Sequence, residues 1–163
     1  MLFRSMNIIL PIIGTGERFK KEGYTVPKPL INVLGKPMLY RVINSLNIDV
    51  KTDKLYIVYH TTLKDYNFEF LIRHYFPKHI IHFVCLDYLT KGAAETVLCC
   101  LDTFTKKELD ENILLFDCDT FYEDDVVSIY KNSSDKNLIF YFNDSKIDPI
   151  YSYISLDNGR VTQ

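Results

Sequence analysis

Two hydrophobic periodicities alternate along the 163-residue chain, and their order predicts the architecture. Residues 7–13 form a short unbroken apolar run around Ile8, Ile9 and Leu10, too continuous for an amphipathic helix, and read as a buried parallel strand. Pro37 stands where proline is tolerated at a helix start, and Met38, Leu39, Val42, Ile43 and Leu46 supply that helix with an apolar side. The pattern then recurs in type. Residues 54–60 predict a second strand, and 62–76 a helix with Leu63, Tyr66, Phe70, Leu71 and Tyr75 on its buried face, ended by Pro77. Residues 79–86 predict a third strand, 93 to about 104 a helix, and the fully apolar 112–116 a fourth strand at the centre of the sheet. Beyond Asp119 the spacing predicts a short helix over 123–130, a strand over 137–142, and a strand over 151–156 that turns at Asp157-Asn158-Gly159 into a hairpin. Strands alternating with helices give an α/β class with a mainly parallel sheet and right-handed crossovers, in one domain spanning 1–163.

The loop after the first strand carries the candidate chemistry. Gly14 and Gly16 let the main chain approach a ligand and aim successive N–H groups at one anion. Thr15 lies between them. Arg18 adds a guanidinium fork for two phosphate oxygens, and Lys28, fixed between Pro27 and Pro29, adds an aimed ammonium. Two common phosphate motifs are excluded. The dinucleotide fingerprint needs a third glycine where Phe19 stands, and the Walker loop fails because Pro37 follows Gly35-Lys36 and Leu30 replaces its first glycine.

What remains is a linked set of three motifs: Gly14-Thr15-Gly16-Glu17-Arg18-Phe19, Pro27-Lys28-Pro29-Leu30 and Gly35-Lys36-Pro37-Met38. In order and spacing this resembles the N-terminal signature of the sugar nucleotidyltransferases, the nucleoside-diphosphate-sugar pyrophosphorylases. The resemblance implies a Rossmann-like three-layer α/β/α fold of the nucleotidyltransferase or GT-A-like kind. It also implies a role in nucleotide-sugar supply for polysaccharide biosynthesis, with a nucleoside triphosphate and a sugar 1-phosphate as substrates.

Two later segments match further parts of that pattern. Leu89-Thr90-Lys91-Gly92-Ala93-Ala94-Glu95-Thr96 resembles the family's glycine-led helix start that holds the base, so Gly92 joins Gly14, Thr15 and Gly16 as nucleotide-binding positions. Asp87 lies near the place where some relatives carry a base-reading side chain, and a carboxylate accepting from an amino group favours CTP or GTP. Asp117 and Asp119 follow the fourth strand where the family places its metal-binding aspartate, and two carboxylates two residues apart suit Mg²⁺. Arg18 would hold the outer phosphates, Lys28 the charge at the α-phosphate, and Asp119, with Asp117 second, the metal. The alternatives are a GT-A-like glycosyltransferase that reads Asp117-x-Asp119 as its D-x-D motif, or a non-catalytic nucleotide-binding or scaffolding domain. The chain departs from the family in two places. Ile12 and Ile13 stand where relatives have small residues, and the C-terminal part of the family fold, with its sugar-phosphate lysine and second metal-binding aspartate, is missing. Truncation leaves open an association with a second copy or with a complementary chain.

Composition narrows the setting without changing this picture. Nineteen basic and 21 acidic residues give a net charge of −2, so no global basic surface points to nucleic acid. No apolar segment is long enough for a membrane span or signal peptide, and a cytoplasmic location is expected. Cys85, Cys99, Cys100 and Cys118 show no metal spacing and are expected to be buried, reduced thiols.

Overall fold

The computed structural model describes residues 5–135, 137–145, 148 and 151–162. In chain order its elements are strand β1 (Met6–Pro11), helix α1 (Glu17–Lys21), the two-residue strands β2 (Asn32–Val33) and β3 (Lys36–Pro37), helix α2 (Met38–Ser45), β4 (Lys54–His60), α3 (Phe68–Tyr75), β5 (Ile80–Leu86), α4 (Ala93–Leu101), α5 (Lys106–Leu109), β6 (Asn112–Leu115), α6 (Val126–Asn132), and a terminal pair β7 (Leu156–Asp157) and β8 (Arg160–Val161). β1, β4, β5 and β6 make one parallel sheet in the order β5-β4-β1-β6. The α/β parallel fold expected from the hydrophobic pattern is therefore the one observed.

Side-chain alternation along β1 builds both layers. Met6, Ile8, Leu10 and Ile12 face one side, where they pack with Leu39, Val42 and Ile43 of α2, Phe68 and Ile72 of α3, and Val126 and Val127 of α6. Ile9 and Ile13 face the other side and meet Tyr56, Val58 and Cys100, with α4 as cover. Burial of both faces explains why the 7–13 run shows no polar alternation.

Four expectations are corrected. The apolar 112–116 stretch is not central: β6 sits at one end of the sheet, pairs only with β1 among the described residues, and leaves Leu115 exposed. Continuous hydrophobicity reports burial of both faces of a strand, not its place in the order, and β1 and β4 hold the centre. The helix expected over 62–76 is two pieces. A 3-10 segment, Thr61–Tyr66, ends at Asn67, whose φ of 50° is left-handed, and α3 begins after it. That break resets the helical phase, so Phe68 and Ile72 are buried while Phe70 is 75% exposed. The 137–142 stretch is extended but joins no sheet among the described residues. Only two residues on each side of the terminal turn pair as strands, with Asn158 and Gly159 both at positive φ as the tight primed turn requires.

The thiols are all free, as expected, but their burial is uneven. Cys100 and Cys118 are buried and Cys85 is exposed, because β5 is the outer strand at its end of the sheet.

Candidate functional site

The carboxyl ends of β1 and β6 and the start of α4 meet at one edge of the sheet, the edge where open α/β folds place their ligands. β1 runs on past Pro11, with the Ile12 N–H donating to the Val58 carbonyl at 2.8 Å, and then releases the glycine loop. Gly16 ends that loop with φ of 66°, a left-handed conformation that starts α1 and that glycine adopts without strain. Gly14 needs no such conformation. A Cβ added there would meet nothing within 4 Å, so no neighbouring group of the protein demands a glycine.

Lys28 is placed from the opposite side. It opens the 3-10 turn Lys28–Leu30, with Pro27 before it and the buried Pro29 after it. Its Cβ would stand 3.5 Å from a Cβ on Gly16, its ammonium lies 5.7 Å from the centre of the Phe19 ring, and it pairs with Asp119 Oδ2 at 2.6 Å. The lysine and the aspartate, expected to serve phosphate and metal separately, are thus direct partners.

Asp119 follows β6 in an alternating segment. Cys118 turns inward among the core residues, where burial pushes its thiol up to about 11, while Asp117 and Asp119 are exposed on either side of it. Neither aspartate caps the next helix. Asp125 does so, its Oδ1 accepting from the Ser128 N–H at 3.0 Å, and α6 begins at Val126, three residues later than the spacing predicts. Among the described residues no three His, Cys, Asp or Glu side chains cluster as a metal site. Mg²⁺ takes as few as one or two protein carboxylates and completes its shell with water and phosphate oxygens, and Asp117 and Asp119 are both exposed.

Between the glycine loop and α4 lies a cavity of about 330 Å³, lined by Pro11, Ile13, Gly14, Thr15, Leu89, Thr90, Gly92, Ala93 and Thr96. Two segments nearly eighty residues apart thus form one concave wall. α4 starts at Gly92 with no side-chain cap. Thr90 is not that cap: its hydroxyl pairs with the buried Thr96 hydroxyl at 2.6 Å, and Thr96 donates to the Gly92 carbonyl at 3.1 Å. This hydroxyl pair fixes the approach to the helix while leaving its first N–H groups uncapped. Gly92 has φ of 167°, ordinary extended backbone, and a Cβ there would also meet open space.

Ile12 turns away from the cavity into the α2 and α3 core. Ile13 forms part of the cavity wall and packs toward α4. The bulky pair therefore leaves the pocket open. Asp87 is exposed and is not part of the lining. Arg18 is exposed on α1 with no side-chain hydrogen bond or ion pair among the described residues. Sequence reasoning named the segment from Leu89 to Thr96 but singled out only Gly92 within it; the Thr90-to-Thr96 spacing across a helix start was the available signal for Thr96.

The comparisons with known proteins agree with this geometry. A nucleoside-diphosphate-sugar pyrophosphorylase from Vibrio cholerae superposes with a TM-score of 0.59 at 25% identity, over 70% of this chain and 48% of that one. The fold is that of the sugar nucleotidyltransferases. HddC from Yersinia pseudotuberculosis matches at TM-score 0.59 and 21% identity, over 82% of this chain and 55% of its own. A protein from Bacillus anthracis described as a glucose-1-phosphate thymidylyltransferase, in complex with a sucrose, matches at 0.61 and 20%, over 80% and 51%. The chain spans about half the length of the structures it matches. No protein-family model and no curated protein matches it by sequence.

Proposed function

We propose that this chain is the nucleotide-binding part of a sugar nucleotidyltransferase, which forms a nucleoside-diphosphate sugar and pyrophosphate from a nucleoside triphosphate and a sugar 1-phosphate. The observation that carries the reading is the Lys28–Asp119 ion pair at 2.6 Å, beside the glycine loop and the cavity it shares with α4. Opposite charges partner each other there, and a metal-bound triphosphate would take up both.

A phosphate oxygen of the sugar 1-phosphate attacks the α-phosphorus. The bond to the bridging oxygen of the β-phosphate breaks, and pyrophosphate leaves with that electron pair. The nucleophile is already ionised, so the protein's work is alignment and charge neutralisation, not proton removal. The backbone from Gly14 to Gly16 cradles the phosphates, Arg18 grips their outer oxygens, and Lys28, once parted from Asp119, meets charge growing at the α-phosphate. Mg²⁺ held by Asp119 and Asp117 would supply further neutralisation of the phosphate oxygens. The base enters the cavity between Ile13 and Leu89. Asp87, the basis for preferring CTP or GTP, is outside the wall, and the side-chain hydroxyls that line the cavity are those of Thr15, Thr90 and Thr96. Among the described residues no helix is long and apolar enough to cross a membrane, and we assign the protein to the cytoplasm, where both substrates occur.

The test is to incubate the chain with Mg²⁺, each nucleoside triphosphate in turn and a panel of sugar 1-phosphates, and to measure pyrophosphate alongside nucleotide binding by calorimetry. Release that depends on both substrates supports the reaction. Binding without release reduces the reading to a nucleotide-binding domain, and absence of binding overturns it.

A further inference from the structure

We infer that the chain forms a twofold dimer through the outer edge of β5, in which the β5 strands of two copies pair antiparallel and their α3 helices pack side by side. The phase of the ladder shows which backbone groups are free. The Ile12 N–H donates to the Val58 carbonyl, so the even-numbered residues of β4 face β1 and the odd-numbered ones face β5. Ile57 stands opposite Phe83, so His82 and Val84 bond to β4, while Ile81, Phe83 and Cys85 turn their backbone groups outward. The Arg73 guanidinium accordingly reaches the Ile81 carbonyl and donates to it at 3.4 Å. No strand pairs with that outward row among the described residues.

The strand itself carries none of the devices that keep edges apart. Ile80–Leu86 contains no lysine, arginine, carboxylate or proline, and its register with β4 runs from end to end without a bulge. A groove of about 650 Å³ lies along it, with Glu69 and Arg73 on one flank and Thr103 and Glu108 on the other. A long apolar edge of this kind is a template for pairing.

Shape and charge both choose a second copy as the occupant. Phe68 of α3 meets Tyr59 of β4 and Phe83 of β5, with ring centres 5.1 and 6.0 Å away, so the helix lies over the boundary between those strands. With strands about 4.8 Å apart, antiparallel pairing of β5 with its copy sets the two α3 axes about 10 Å apart, the distance at which helices pack. On the other face α4 packs over β1 and β4, one strand further in. The charges are self-complementary. Arg73 stands by the amino half of β5, beside Ile81 and 4.9 Å from the centre of the Phe83 ring. Glu69 stands by the carboxyl half, accepting from the hydroxyl of Tyr59, which is opposite Cys85 in the register. A twofold axis through Phe83 sets Ile81 of each copy against Cys85 of the other, and so brings each Arg73 to the other copy's Glu69.

This inference stands apart from the nucleotide reading, and its test needs no nucleotide. The intact chain is followed by sedimentation over a concentration series, with amide exchange measured at the two ends of it. A monomer–dimer equilibrium is expected, and exchange at Ile81, Phe83 and Cys85 should slow as the dimer forms. Arg73→Glu and Glu69→Arg should each raise the dimer dissociation constant at least tenfold, because each sets like charges together twice. The double variant carrying both changes should restore association, which a merely structural role for either residue would not do. Should a variant fail to fold, the concentration dependence of exchange in the wild type decides the matter. A chain that stays monomeric throughout the series overturns the inference. So does a dimer in which the three amides exchange as fast as in the monomer, slow exchange there in the monomer itself, or a double variant as weak as the single ones.

Discussion

Parting Lys28 from Asp119 should separate stability from function. Their side chains are 25% and 38% exposed, so water screens the pair, and ion pairs of that kind contribute about 0–1 kcal/mol. Lys28→Ala and Asp119→Asn should each lower the unfolding free energy by no more than about 1 kcal/mol, a shift of roughly 2–4 °C for a chain of this size. On the ligand side the scale is different. Lys28 is assigned to charge that grows at the α-phosphate, and removing one such donor costs about 10²–10³ in rate, or about 3–4 kcal/mol. Asp119→Asn should act in two directions at once. Without Mg²⁺ it frees Lys28 from its carboxylate and should tighten triphosphate binding by up to about fivefold, the equivalent of about 1 kcal/mol, while the tightening that Mg²⁺ gives the wild type disappears. Calorimetric titration of each variant with a nucleoside triphosphate, with and without Mg²⁺, beside thermal denaturation, reads all of this. The reasoning fails if either variant loses several kcal/mol of stability, because the pair would then be a structural clamp, or if Lys28→Ala binds Mg²⁺-triphosphate as the wild type does.

The glycines allow a similar separation. Gly14→Ala and Gly92→Ala place a methyl in open space at unstrained φ, so denaturation should move by less than about 0.5 kcal/mol while nucleotide binding is lost; Gly16→Ala, at φ of 66°, should cost about 1 kcal/mol of stability as well. In the second helical segment, Phe68→Ala should cost about 3–5 kcal/mol in urea unfolding and Phe70→Ala under about 0.5 kcal/mol. Glu108 gives the pH dependence. Hydrogen bonds from Lys54, then from Thr105 and Tyr56, hold its carboxyl well below the usual range. Because the folded value is depressed, its contribution is fully present above the unfolded carboxylate range and fades as pH falls below about 4.5, so Glu108→Gln should flatten the acid limb of a stability profile.

The hydrophobic pattern was informative where a segment's own burial decides its state. β4 occupies the expected residues, and α2 with its C-cap Leu46 buries all five of the apolar positions assigned to it. It was silent where the decision is made by other segments. Whether an apolar strand is central depends on what pairs with its second edge, and NILLF reads the same in either place. The phase of α3 depended on one left-handed residue, Asn67, which no periodicity contains. The segments of the candidate site stood out for a different reason: a glycine loop, a lysine held between prolines and an aspartate after a strand are set by local chemistry and short spacing. Their meeting was not legible. That Lys28 touches Asp119 follows from β1 and β6 being neighbours in parallel register, a property of the sheet.

The same register divides the sheet into two ends with different work. At the amino ends of its strands, Lys54 and the Tyr56 hydroxyl converge on Glu108, and the buried Asn7 donates to the Glu108 carbonyl at 3.0 Å. Thr105 and Glu108 also close a reciprocal cap on α5. Here a strongly shifted carboxyl marks a clamp, although such shifts elsewhere point to function, because every partner is already engaged inside the protein. At the carboxyl ends the polar groups are held differently: Lys28 and Asp119 pair with each other while partly exposed, Arg18 is exposed, and α4 begins uncapped beside a cavity. Groups satisfied by one another across a solvent-facing gap can be exchanged for a ligand at small cost, whereas groups locked at the amino end cannot. The strand β1 joins the two, anchored through Asn7 near its start and releasing the glycine loop beyond its end, so the anchor sits about seven residues before Gly14.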